Sequence, residues 1–233
     1  MKRRYLILAL ITAAWAIALA AVAKNAIDRL NVPPWGNPMA DSTSAPLAGD
    51  TRVGQAFVAP MDGLYRIEVV LVPAPEDTDR PLILHLTAGP TAQEDLYTAE
   101  FSTTEIDPAT ALGFEFGPIR DSKGREFFFY LESPGTDLEE APSVRFSPNS
   151  TLEPADAYLN GEPLDGDLAF HSFYTLRTRD KVGLLLSRMT EDRPYLMGSE
   201  AFYLVLAAAY VLVLGAFLYK LGSQVAGEED KDS

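Results

Sequence analysis

GLYRIEVVLV, residues 63–72, decides how the middle of this chain is read. Tyr65, Ile67, Val69 and Leu71 fall on one face, and Arg66 and Glu68 fall on the other. That period-2 alternation predicts a strand with one face turned to a core. The same grammar extends in both directions. Upstream, VGQAFVAP (53–60) predicts a strand that turns at Met61-Asp62-Gly63, and downstream PAPEDTDRP (73–81) reads as a loop. In LILHLT (82–87) the leucines Leu82, Leu84 and Leu86 share one face, with Ile83, His85 and Thr87 opposite. Further strands are predicted at Leu96 to Phe101, Leu112 to Phe116, Glu126 to Glu132, Ser143 to Phe146, Ala157 to Leu159 and Leu168 to Leu176.

About nine short strands with turn signals between them predict a mainly β fold, an antiparallel β-sandwich of jelly-roll type. EFFFYLE (126–132) carries large side chains on both faces. It is expected at the centre of a sheet, covered on one side by the partner sheet and on the other by a loop or neighbour. Asn160-Gly161 is a strong hairpin signal. Asp121-Ser122-Lys123-Gly124 fits a tight turn leading into the aromatic strand.

The ends of the chain differ in kind from the middle. AFYLVLAAAYVLVLGAFLY, residues 201–219, has no charge between Glu200 and Lys220. As a helix it would span roughly 28 Å, close to the hydrocarbon thickness of a bilayer. Tyr203 and Tyr219 fit interfacial aromatics, and Lys220 fits a cytoplasmic side. Near the other end, MKRR precedes YLILALITAAWAIALAAVA (5–23), which fits either a retained anchor or a signal peptide of residues 1–23 cleaved after Ala21-Val-Ala23. Its length favours the anchor. Both readings put the basic start inside the cell and the middle outside. Ala9, Ala13, Ala16, Ala20 and Ala23 form a stripe of small residues on which another helix could pack closely.

The expected organisation is therefore an N-terminal spanning helix (1–30), a linker (31–52), an extracytoplasmic β-sandwich (53–179), an amphipathic juxtamembrane segment (180–194), a C-terminal spanning helix (195–220) and an acidic tail (221–233). Four prolines and two glycines in NVPPWGNPMADSTSAPLAGD (31–50) mark the connector, with Trp35 expected to pack against the domain. Val182, Leu185, Leu186 and Met189 give the juxtamembrane segment one apolar stripe. Arg177, Arg179, Lys181, Arg188 and Arg193 gather basic charge there, able to meet lipid phosphates or a partner's acidic surface.

Three stretches carry a resemblance. They are Gly54-Gln55-Ala56-Phe57 with Asp62-Gly63-Leu64; Pro118-Ile119-Arg120-Asp121-Ser122-Lys123-Gly124; and Asn160-Gly161 leading to Gly166-Asp167-Leu168-Ala169-Phe170. In this order the region from Val53 to Tyr174 resembles the extracytoplasmic jelly-roll-like β-sandwich of uncharacterised bacterial membrane proteins associated with membrane glycosyltransferases. The resemblance implies a jelly-roll module in a cell-envelope setting and brings no catalytic residues with it. The many-spanning transferase portion has no counterpart in this chain. Turn chemistry alone explains each of the glycines.

Composition removes several classes of function. The chain lacks cysteine, which excludes disulfides, thiolate metal sites and thiol nucleophiles. From Lys24 to Glu200 there are 29 acidic and 14 basic residues, a net charge of −15 that argues against nucleic acid as a partner. The two histidines, His85 and His171, could act as a pair only if their strands adjoin, and no nucleophile motif accompanies them. Asp165-Gly166-Asp167 matches the D-x-D of nucleotide-sugar enzymes, but the α/β domain such enzymes need is absent from the pattern. Asp156, Asp165 and Asp167 are candidates for a calcium site. Tyr97, Tyr130, Tyr158, Phe173 and Tyr174 are available for stacking on sugars, although most are expected in the core.

These observations predict a non-enzymatic accessory or structural subunit of an integral membrane protein complex, without a cofactor unless calcium. Its partners would be other membrane subunits and the bilayer, with the β-sandwich presented for protein binding. The alternative is a glycan-binding module serving envelope polysaccharide synthesis or export.

Overall fold

Strand β8, Glu126–Glu132, sits inside a six-stranded antiparallel sheet. The structure is a computed structural model that describes residues 2–29, 32–37, 40–74, 78–148 and 155–228. The chain divides into two units, one of residues 32–176 and one formed by the two ends, 1–31 and 177–233.

In the first unit β8 pairs with β2 (Arg52–Val58) on one side and β5 (Pro81–Thr87) on the other. Beyond β2 lie β10 (Ala155–Leu159) and β11 (Glu162–Leu164), and beyond β5 lies β6 (Asp95–Ser102). The hairpin between β10 and β11 turns at Asn160 (φ 54°) and Gly161 (φ 85°). Both central residues of a type I′ turn need positive φ, which is the reason for Asn-Gly there.

Two smaller sheets complete the unit. One pairs β13 (Phe170–Tyr174), β3 (Leu64–Val69) and β7 (Leu112–Ile119). The other gathers β1 (Ser42–Thr43), β4 (Leu71–Val72) and β12 (Asp167–Leu168) about β9 (Ser143–Ser147). They meet at a fork. The Val70 N–H donates to the Ala169 carbonyl, Ala169 to Arg145 and Arg145 to Val70, at 2.8–2.9 Å. This ring of bonds lets β9 enter between two strands that pair directly up to that point. The expected single strand Leu168 to Leu176 is thereby broken at Ala169 into β12 and β13.

The alternation predicted for residues 63–72 holds from Ile67 to Leu71 and fails at its start. The register with β7 and with β13 shifts between Leu64 and Arg66, so Tyr65 is the extra residue of a bulge. Leu64 is fully buried in its place, while Tyr65 is half-buried.

Phe57, Leu82, Leu84, Phe127, Phe129 and Leu131 of the large sheet share one apolar core with Ile67, Val69, Phe114, Val144 and Phe170 of the smaller sheets. Phe170 lies 5.4 Å from Phe57 and 5.3 Å from Phe129, ring centre to ring centre. Each of these side chains contributes about 1.5–3 kcal/mol by leaving water.

The segment expected as a linker is part of this unit. Leu47 is fully buried, Trp35 packs on Phe57 and Phe170, and residues 42–43 form β1. Trp35 and Ser172 exchange backbone hydrogen bonds at 3.0 and 2.6 Å. The prolines prevent a helix but do not prevent short edge pairings of this kind.

The second unit is helical, with α1 (Lys2–Asp28), α2 (Thr178–Thr190), a 3-10 turn at Tyr195–Gly198, and α3 (Glu200–Glu228). Among the described residues one helix is long and apolar enough to cross a membrane, over Glu200–Phe217, with mean hydropathy 2.0 and none of it buried. The start of α2 is tied to the end of α1, where Thr178 Oγ1 donates to the Asp28 carboxylate (3.0 Å) and Lys181 Nζ to the Asp28 carbonyl (2.7 Å). At the other end of α2, Tyr203 Oη of α3 donates to the Met189 carbonyl at 3.1 Å.

Candidate functional site

The two faces of β8 look in opposite directions. Phe127, Phe129 and Leu131 face the core, so Phe128 and Tyr130 face outward, one pleat apart. Both line a cleft of about 790 Å³. Its other walls come from Asp50, Thr51 and Arg52 at the start of β2, Pro90, Ala92 and Gln93 after β5, and Tyr158, Asn160 and Gly161 at the hairpin.

Gly54 makes the floor possible. A Cβ at that position would stand 2.5 Å from Phe128 Cζ, closer than packing allows. With hydrogen there instead, the Phe128 ring settles over β2 and is nearly buried. Tyr158 meets Phe128 edge-on at 5.2 Å, and Tyr130 lies beside it at 5.9 Å. His85, directly opposite Tyr130 in the register, stacks on it at 4.4 Å with the planes 3° apart. The Arg52 guanidinium lies 5.4 Å from the Tyr130 ring centre.

A chain of polar groups fixes these rings. Arg52 Nε donates to Glu132 Oε2 at 2.6 Å. His85 Nδ1 lies 2.7 Å from Asp95 Oδ2, which also accepts from Thr98 Oγ1 at 3.2 Å. His85 Nε2 is 3.4 Å from Glu132 Oε1, without hydrogen-bond geometry. Burial raises the pKa of the Tyr130 hydroxyl, with Asp95 adding to the effect and Arg52 opposing it. Burial, then Asp156 and Glu126, raise that of Tyr158. Both phenols therefore stay protonated at neutral pH, able to donate and to accept. Among the described residues neither hydroxyl has a protein partner.

The residues singled out from sequence are dispersed. His85 lies in the six-stranded sheet and His171 in the three-stranded one, so they form no pair. Of the calcium candidates, Asp167 is fully buried and accepts from Gln55 Nε2 at 3.2 Å, whereas Asp156 and Asp165 are exposed. Among the described residues no group of three His, Asp or Glu side chains is placed to hold a metal ion. Tyr174 is buried, its hydroxyl donates to Ser172 Oγ at 3.0 Å, and burial pushes its pKa far above the tyrosine range. Phe173 lies under the Arg66 guanidinium at 5.4 Å. Tyr97 stacks on Phe116 at 4.9 Å and donates to the Gly117 carbonyl. Only Tyr130 and Tyr158 of that aromatic set line the cleft.

In the helical unit Ala9, Ala13, Ala16, Ala20 and Ala23 all fall within α1. Ala13, Ala20 and Ala23 are exposed, and the side chains of Ala9 and Ala16 lie outside the described residues. Tyr219 is exposed, and Tyr203 is engaged with α2 as described above.

Phe128, Arg52 and Glu132 belong to no motif in the sequence that points to a site. A usable signal for Phe128 was its i, i+2 spacing to Tyr130, which puts both rings on one face of a strand whose other face is also aromatic.

No family model and no curated protein matches the chain. Among solved structures, a ruminal GH26 endo-β-1,4-mannanase is similar over 71% of this chain and 28% of that one, at 9% identity and a TM-score of 0.32. At that TM-score the likeness assigns neither fold nor activity.

Proposed function

We propose that the protein is a non-enzymatic accessory protein of the cell envelope, a jelly-roll β-sandwich held outside the cytoplasm by two spanning helices. In this reading both chain ends are cytoplasmic. The β unit binds a glycan in the outer-face cleft, in the service of polysaccharide synthesis or export by membrane partners. The single observation that carries the reading is the make-up of the cleft. An apolar floor of Phe128 over Gly54 is bordered by two tyrosine hydroxyls without protein partners among the described residues, with Gln93 and Thr51 nearby. A sugar presents the complementary pattern of apolar faces with a rim of hydroxyls. Sites for small ligands are typically mostly apolar with a few placed polar groups.

The test is a glycan array probed with full-length protein in lipid nanodiscs free of maltoside detergent, which would itself occupy such a site. Binding by the native protein that disappears in Tyr130→Ala and Tyr158→Ala is the expected result. An empty array would remove the glycan from the proposal.

A second reading, a subunit presenting its sheet to another protein, is favoured by β6. That strand pairs on one side only among the described residues and exposes Leu96 and Tyr97. An unpaired edge can be extended by a strand of a partner. Larger assemblies on native gels after mild extraction, abolished by proline at Thr98 or Glu100, would decide for this reading.

A further inference from the structure

The charge around the cleft limits which glycans can enter, an inference that rests on the glycan reading above. Arg52 and Asp50 are in its lining, and Glu132 is bonded to Arg52 at 2.6 Å. Asp95 stands near Tyr130, and Asp156 and Glu126 stand near Tyr158. The Glu132 side chain is 16% exposed and that of Arg52 is 56% exposed. Glu132 is thus the fixed member of the pair, and the arginine folds back onto it. Lys123 and Arg125 belong to the turn before β8 and do not line the cleft. His85 does not line the cleft, and its Nδ1 faces Asp95 at 2.7 Å.

One cation therefore stands among Asp50, Glu132 and Asp95, so the local balance is negative. The same sign holds for the region from Lys24 to Glu200, whose net charge, these groups included, is −15. A carboxylate or phosphate on the ligand would need a free, desolvated cation, the usual receptor for such groups. Glu132 has taken that role from Arg52. Sugar hydroxyls have no such requirement, because they donate to Asp50 and accept from the remaining guanidinium N–H groups and the tyrosine hydroxyls.

We propose that the cleft binds an uncharged glycan, and that Glu132 sets this specificity by neutralising Arg52. Glu132 acts on the ligand through Arg52 and is a positioning residue.

The experiment measures affinity by titration calorimetry on full-length protein in nanodiscs, with paired oligosaccharides of equal length and linkage, one set of neutral hexoses and one of uronates. The native protein is expected to bind the neutral member at least about tenfold more tightly, a difference of about 1.4 kcal/mol. Glu132→Gln is expected to raise uronate affinity by about tenfold or more while neutral binding changes little, because charge-assisted bonds to a freed arginine become available. That gain should fade as salt is raised.

Equal or tighter uronate binding by the native protein would overturn the inference and leave the glycan reading intact, and this result needs no variant. Binding of neither class would overturn the glycan reading itself. A Glu132→Gln protein with an unchanged melt and no gain toward uronates would remove Glu132 as the determinant. If that variant melts early, Asp50→Asn, which leaves the Arg52–Glu132 bond in place, is expected to keep the preference for the neutral member, and a reversal of preference in it would take the role from Glu132.

Discussion

The inner and outer faces of β8 are built from the same kind of side chain and come to opposite ends. Inward, Phe127, Phe129 and Leu131 have no exposed surface and meet Phe57 and Phe170 in a closed core. Outward, Phe128 and Tyr130 form the floor and wall of an open cleft whose phenols lack protein partners among the described residues. What separates them is what lies opposite. A second layer of strands seals one face, whereas loops at Asp50 to Arg52, Pro90 to Gln93 and Asn160-Gly161 only border the other. Large rings on a sheet are therefore core or ligand surface according to their neighbours, which a single strand's sequence does not contain.

Truncating one ring on each face is the sharpest way to break this contrast. Phe129→Ala is expected to cost about 3–5 kcal/mol of stability. Tyr130→Ala, lying on the open face, should cost about 1 kcal/mol or less and act on binding instead. Denaturant titration of the full-length protein in nanodiscs measures both. Similar losses for the two would mean that the outer face is structural.

Gly54 joins the two roles, since its missing side chain seats Phe128. Gly54→Val should destabilise the protein by about 1–3 kcal/mol through overpacking and should displace the cleft floor. A variant with the native melting point would show that Phe128 does not need the space.

Alkaline titration separates the faces by a different route. Burial raises the Tyr174 pKa well above the ordinary value of about 10, so the folded state holds this proton more tightly than the unfolded chain. Its contribution is complete below pH ~10 and is lost as pH rises above that, by up to about 1.4 kcal/mol per pH unit. Tyr174→Phe should flatten the stability curve in that window, and an unchanged slope would argue against the effect. Removal of calcium should have the smallest effect. With Asp167 turned to Gln55, and Asp156 and Asp165 exposed, EGTA is expected to leave the melt unmoved.

Much of the β unit was legible in the sequence because it is written in local rules. Asn160-Gly161 turns as its chemistry requires, Leu82, Leu84 and Leu86 face the core, and EFFFYLE is central. Misreadings arose where distant chain segments decide. The Tyr65 bulge depends on the registers of β7 and β13, and the break at Ala169 depends on the insertion of β9. Leu47 is drawn into the core, its N–H donating to the Pro142 carbonyl 95 residues on, although its surroundings read as linker; Trp35 packs against the domain as expected. The site was visible in part. Tyr130 and Tyr158 were candidates, but Arg52 and Glu132 lie 80 positions apart and meet only because β2 and β8 pair.

The central claim is that the outer-face cleft holds a neutral glycan in the membrane-held protein. Its most direct test is to purify the native chain and a Tyr130→Ala, Tyr158→Ala double variant from their own membranes, without glycosidic detergent. Mass spectrometry then identifies what each retains. Uncharged oligosaccharide on the native protein, absent from the well-folded double variant, is the predicted result. Protein partners retained equally by both, with no glycan on either, would contradict it.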